Sequence, residues 1–277
     1  MKKISKYIEE IIEDESLLPL KYLEGDKYMY IMEDEGDDGL NILLGYELAK
    51  IFKINHFYVD ITKVKNKDYI VFEGVENYGN FYPYNSLTSN ESNNLYDIWD
   101  CLDFYFENVN ELMEDIIKMY IFDLLFYNSS RQQENWGILE KEKEKEKEKD
   151  TKIYMIENLC LFTQVLKPTI HCAEDNDNIL DNYAEYLYEM ISEITKFKNE
   201  TSSEYINKCI DLVKSVDEKV LNKLINLVEL KAGRTFIERP NIKKFSQIRD
   251  IILTNLQTKE EYNKKLIIYM DGKKWII

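Results

Sequence analysis

Histidine is nearly absent from this sequence: His56 and His171 are the two in 277 residues. Chemistry built on a histidine base therefore has few candidates. His56, within Lys53-Ile-Asn-His-Phe-Tyr58, sits where a predicted helix gives way to a strand, a structural position. Cysteine is sparse as well. Cys101, Cys160, Cys172 and Cys209 are widely spaced with no Cys-x-x-Cys pair, so neither a zinc site nor a disulfide framework is expected. Cys101 and Cys209 fall on apolar faces of predicted helices and read as small core residues. Basic residues are in the minority, 36 Lys and Arg against 52 Asp and Glu, for a net charge of −16. Such a chain repels a phosphate backbone, which argues against direct nucleic-acid binding. No apolar run approaches the ~18 residues of a membrane span. The N-terminal Met1-Lys-Lys-Ile-Ser-Lys-Tyr-Ile-Glu-Glu10 lacks the continuous apolar core of a secretion signal. A cytoplasmic protein without membrane attachment is expected.

What the chain has in abundance is material for a core: 44% hydrophobic residues, with 21 Tyr and 12 Phe. Its length suits a single two-lobed globule. Residues 3–13 place Ile4, Ile8, Ile11 and Ile12 on one helical stripe opposite an acidic face, a packing helix. Two short runs around Glu24-Gly25-Asp26 read as a hairpin. Residues 41–52 follow with helical spacing (Ile42, Leu43, Tyr46, Leu48, Ala49, Phe52), and then strand-like runs at 56–62 and 68–74. Residues 77–94 read as a loop between lobes, and 94–127 as long helical sequence. Residues 140–149 are a strict Glu-Lys alternation with nothing apolar to bury, which predicts a solvated hairpin tip between strands at 136–139 and 152–156. The remainder is helical: 178–199, 203–216, 217–231 with Gly233 as its C-cap, and 241–256. A closing hairpin turns at Asp271-Gly272.

One stretch organises the rest. Phe122-Asp-Leu-Leu-Phe-Tyr-Asn-Ser-Ser-Arg-Gln-Gln-Glu-Asn-Trp-Gly137 runs from an apolar helix end through a polar loop into a strand, and a second strand carries Glu157-Asn158. The pattern resembles the HipA-like protein kinases, whose corresponding loop reads Asn-x-Asp-Arg-His-x-x-Asn-x-Gly and whose next strand ends in Asp-Asn-Gly. The passage Tyr46-Glu-Leu-Ala-Lys-Ile-Phe-Lys-Ile-Asn-His-Phe-Tyr-Val59 is similar to that family's helix and following two-strand unit. The resemblance implies an α+β, two-lobed protein-kinase-like fold, with a small mixed β-rich N-lobe at 1–85 and a mainly helical C-lobe at 86–277. The N-lobe would hold the helices at 3–13 and 41–52. The C-lobe would hold a catalytic-like loop at 128–137, the Glu-Lys loop and a metal-site-like strand at 152–158.

It also assigns roles residue by residue. The family's catalytic Asp falls on Ser130, whose hydroxyl is no carboxylate at neutral pH; the motif Arg falls on Arg131, and the His after it on Gln132. The metal-binding Asn falls on Asn135, and the metal-binding Asp on Glu157. ATP and Mg2+ are the cofactors implied, with Asn135 and Glu157 as magnesium ligands. The lysine that pairs with nucleotide phosphates in the family is missing from Tyr28-Met-Tyr-Ile-Met32, and Lys27 lies just outside that run. Glu134 is the one carboxylate within the loop that could replace the base. Losing a positioned base costs ~10²–10⁴ in rate. Three functions stand open at this point: a pseudokinase that binds nucleotide or regulates a partner, an active Ser/Thr protein kinase with an altered loop, and an acidic interaction protein without a nucleotide site. A protein partner or protein substrate is expected in each; nucleic acid and membrane are not.

Overall fold

Alternating side chains in two tyrosine-rich runs fold back on one another at Gly25, whose φ of +66° suits the first position of a two-residue hairpin loop. The computed structural model describes residues 20–34, 36–64, 66–89, 94–126, 128, 133–142, 149–155, 203–257, 267–270 and 273–276. In chain order its first elements are β1 (Leu20–Glu24), β2 (Lys27–Glu33), α1 (Asp38–Phe52), β3 (Asn55–His56), β4 (Val59–Val64), β5 (Lys67–Glu73) and β6 (Asn80–Pro83). After them come α2 (Leu95–Tyr105), α3 (Val109–Phe126), β7 (Trp136–Glu142), β8 (Lys149–Met155), α4 (Ser203–Ser215), α5 (Glu218–Ala232), α6 (Ile242–Gln257), β9 (Ile267–Met270) and β10 (Lys273–Ile276). The predicted helices at 3–13 and 178–199 lie outside the described residues.

Contacts divide the chain into two units. The first comprises residues 1–89, 130–160 and 224–237; the second comprises 90–129, 161–223 and 238–277. Segment 130–160 falls with the first unit, where β7 pairs with β6 and β8 with β3.

In the first unit, β1-β2-β5-β4 form an antiparallel sheet. The period of two sends Met29, Ile31, Tyr69 and Val71 to one face, where they pack with Val64 and the half-buried Tyr22 and Tyr58. Val59, Ile70, Met32 and Phe72 take the other face and meet Ile42 and Tyr46 of α1. That helix is buried along most of its length and stops at Lys53, which adopts the left-handed conformation at φ 54°. A second sheet, β3-β8-β7-β6, has β3 parallel to β8 and the other pairs antiparallel.

Two sequence expectations change here. The loop read at 77–94 contains β6, four residues paired to β7, followed by a 3-10 turn over Tyr84–Ser86. The Glu-Lys alternation is strand at both ends, since β7 continues to Glu142 and β8 begins at Lys149. The register fits it: Lys141 stands opposite Asp150, and a cross-strand pair of opposite sign supports a ladder. Residues 143–148 lie outside the described residues.

The second unit is helical. Asn94 caps α2 by accepting from the Asp97 amide at 2.9 Å. The core of the unit gathers on α3, where Phe122 packs edge-on to Phe126 and Phe126 stacks on Phe245 of α6. The β9–β10 hairpin pairs Met270 with Lys273. The fold is α+β, a β-rich unit and a helical unit. Among the described residues no helix is long and apolar enough to cross a membrane.

Candidate functional site

The face of the first sheet that carries Tyr30, Met32, Ile70 and Phe72 is longer than α1 can cover. What α1 leaves bare is a cavity of about 240 Å³ inside the β-rich unit. Its floor is formed by those four side chains with Val59, one wall by Ile42 and Phe57, and its rim by Glu73-Gly74-Val75-Glu76. Tyr30 and Phe72 are cross-strand neighbours whose rings stack with centroids 5.5 Å apart and planes 7° from parallel. Gly74 makes this arrangement possible, because a Cβ there would sit 2.5 Å from Glu76 Oε2 and 2.9 Å from Tyr30 Cε2.

The rim is held by polar contacts. Gly74 N–H donates to Tyr28 O at 2.8 Å, and the Asn77 side chain accepts from Tyr28 N–H and donates to Tyr28 O. Glu76 accepts from the Tyr30 hydroxyl at 3.0 Å and pairs with Lys21. Burial pushes the Glu76 carboxyl up, but hydrogen bonds from Lys21, its own backbone and Tyr30 outweigh it and leave it below the usual carboxylate range. Glu73 is buried, accepts from the Tyr78 hydroxyl and pairs with Lys27. Burial, then the hydrogen bond to Glu73, holds the Tyr78 phenol well above its ordinary value.

Lys27 is the first residue of β2, 59% exposed, and its register groups it with Met29 and Ile31, which pack on the face away from the cavity. The strand presents Tyr30 and Met32 to the cavity instead. Glu134 and Asn135 lie on a 3-10 turn, Gln133–Asn135, immediately before β7; Glu134 is exposed and Asn135 half-buried. The next two residues anchor that turn. Trp136 is buried against Tyr84, and a Cβ on Gly137 would lie 2.3 Å from Tyr82 O, so only glycine lets β6 come so near. Ser130, Arg131 and Glu157 lie outside the described residues. Asn128 has a structural task at the end of α3: its backbone N–H donates to Asp123 O at 2.9 Å and its side-chain amide to Asp123 Oδ1 at 2.8 Å, both residues buried. The sequence signal for Asp123 was its charge within an otherwise apolar helix end, Met119–Phe126.

Another cluster had no local signal. Arg234, just past the α5 C-cap Gly233 (φ 71°), pairs with Asp34 at 2.6 Å and Asp68 at 3.4 Å and donates to Gly36 O at 2.5 Å. Lys231, one turn earlier, pairs with Glu47 of α1 at 2.6 Å. These contacts bind the 224–237 segment to the α1 end of the β-rich unit.

No family model and no curated protein matches the sequence. Among solved structures, the chain resembles the Helicobacter pylori proinflammatory kinase CtkA at 12% identity, over 85% of this chain and 90% of that one, with a TM-score of 0.52. The fold is the HipA-like kinase fold. The HipA of Shewanella oneidensis MR-1, solved with HipB and operator DNA, also aligns, at 12% identity over 86% of this chain and 62% of that chain, with a TM-score of 0.48. The resemblance read from the sequence is borne out at the level of the fold, an α+β kinase-like architecture.

The described residues fit the implied cofactors unequally. The aromatic floor suits a flat heterocycle. The rim does not suit a triphosphate, because its carboxylates Glu73 and Glu76 already engage Lys27 and Lys21. For magnesium, Asn135 offers one amide oxygen, and the other residue expected as a ligand, Glu157, is outside the described residues. No cluster of three His, Cys, Asp or Glu able to hold a metal occurs among the described residues.

Proposed function

We propose that this protein is a kinase-fold binding or regulatory module that holds the base of a nucleotide in the cavity of its β-rich unit and transfers phosphate poorly or not at all. The observation that carries the reading is the identity of the cavity-facing residues of β2, Tyr30 and Met32, where phosphoryl transfer calls for a cation. Aromatic and aliphatic walls bind a base by dispersion and desolvation, and neither task needs that cation. The position of Ser130 adds a second defect at a different step, since a hydroxyl in place of the base costs ~10²–10⁴ in rate. The residues of this chain would orient a base and shield it from water; the chemistry a bound ATP supplies is a labile γ-phosphoryl group, for which the described residues offer no acceptor-activating carboxylate beyond the exposed Glu134.

The test is a thermal-shift titration with adenosine and with ATP–Mg2+, run beside incubation with labelled ATP. Stabilisation by either ligand, abolished by the cavity-filling Ile70→Trp and unaccompanied by label transfer, is the expected result. Autophosphorylation that disappears in Asn135→Ala would overturn it in favour of an active Ser/Thr kinase.

A further inference from the structure

Between Lys67 and Lys118 the chain contains no Lys, Arg or His at all, while eleven Asp and Glu fall in those fifty residues. On the helical unit this bias becomes a surface. Helix α2 turns Leu95, Ile98 and Leu102 inward, and its exposed residues fall at helical spacing on the opposite side. Tyr96, Asp100 and Phe104 form one row four residues apart, with Asp103 and Glu107 beside it. Phe104 is 81% exposed and Tyr105 52%, their rings edge to face at 4.9 Å. Asp100, Asp103 and Glu107 have no cation partner among the described residues. A water-facing helix row needs no aromatics for solubility, and clustered ones mark a place meant to be covered.

We propose that this face of α2 docks an arginine-bearing segment of a partner protein. Charge decides among the occupants. A second copy would bring the same acidic face and a net charge of −16 against it, and an anionic bilayer or a nucleic-acid backbone would be repelled for the same reason. A cationic segment is attracted, and its side chains find both features they need: ring faces for cation–π contact and carboxylates within a turn of them. Arginine fits better than lysine. Its planar guanidinium stacks on Phe104 or Tyr105 while forking to Asp100 or Asp103, whereas an ammonium is a more strongly hydrated point charge. The inference stands on residues of the helical unit and does not depend on the cavity of the β-rich unit.

Fluorescence anisotropy with a short synthetic peptide alternating arginine and leucine, measured beside its lysine counterpart, tests it. The arginine peptide should bind the full-length protein several-fold more tightly than the lysine peptide and weaken steeply with added salt. Phe104→Ala should weaken it ~10-fold, and the triple variant Asp100→Asn, Asp103→Asn, Glu107→Gln should remove the salt dependence with the binding. All four side chains are exposed, so the variants should melt with the wild type. Absence of binding by the wild type, or binding untouched by both variants, overturns the proposal. So does a concentration-dependent dimer that Phe104→Ala dissolves, which would make a second copy the occupant.

Discussion

Trp136 lies face to face with Tyr84, ring centroids 4.3 Å apart and planes 16° from parallel, and both side chains are closed to solvent. The contact fixes the position of Asn135, because the turn carrying it ends on an indole that cannot move without emptying the space beside Tyr84. Trp136→Ala should cost ~3–5 kcal/mol of stability. Gly137→Ala should cost ~1–3 kcal/mol, since its methyl meets backbone atoms of Tyr82 and Pro83 that can yield only if β6 shifts. Urea denaturation measures both; a Trp136→Ala midpoint equal to wild type would mean that the stack bears no weight.

The same neighbourhood shows what could be read in advance. The hairpin at Gly25, α1 and the Gly233 cap were legible because each rests on a local rule: a turn residue, a 3.6-residue period, a left-handed stop. β6 was not, since Asn80-Phe-Tyr-Pro83 is short, ends in proline and becomes a strand only by pairing with residues almost sixty positions later. The ends of the Glu-Lys alternation were misread for a related reason. The alternation has no apolar face, and the pairing of Lys141 with Asp150 appears only once the register is known.

Arg234 is a stronger case of non-local design, since Asp34 and Gly36 lie about two hundred residues away. Asp34 carries no exposed side-chain surface, so removing the guanidinium strands a buried carboxylate. Arg234→Ala should cost ~3 kcal/mol in urea denaturation. Arg234→Lys should recover less than half of that, because an ammonium cannot reach Asp34, Asp68 and Gly36 O as a fork does. Full recovery by lysine would reduce the cluster to a simple charge pair.

Acid should weaken the β-rich unit through Glu47 and Glu76. Burial raises each carboxyl, but hydrogen bonds from Lys231 and Lys50 on Glu47, and from Lys21 on Glu76, leave both below the ordinary value of 4.5. Folded-state values below the unfolded ones mean that the contribution is complete above about pH 4.5 and disappears as pH falls through the lowered folded values. Lys231→Met should flatten the acid limb of a stability–pH profile. At the alkaline end, burial raises the Tyr22 phenol from 10.0 to about 12. That contribution is intact below pH 10 and fades as pH rises towards 12, so phenolate absorbance should appear late and together with unfolding. A Tyr22 signal that titrates near 10 in the folded protein would contradict its burial.

The candidate site was legible in its frame and illegible in its cavity. The motif named the turn at Asn135 and the glycine after Trp136, each with a local reason. It also named Asn128, whose visible partner is Asp123. The aromatic floor was hidden because Tyr30 and Phe72 are forty-two residues apart and share a face only through the β2–β5 register. That register also separates two lysine substitutions that look alike in sequence. Lys27→Met should change binding of adenosine or ATP by less than about twofold, because Lys27 is exposed and does not line the cavity, and Glu73 keeps its hydrogen bond from the Tyr78 hydroxyl. Ser130→Asp alone should raise transfer from labelled ATP only slightly, since a base without a phosphate-pairing cation addresses one of two defects. Ser130→Asp combined with Met32→Lys places a cation on the cavity side of β2 and should raise transfer well beyond the single change, within the ~10²–10⁴ range of a positioned base. If Ser130→Asp restored full activity by itself while Lys27→Met abolished it, Lys27 would be the phosphate-pairing residue, and the assignment of faces along β2 would have to be reversed.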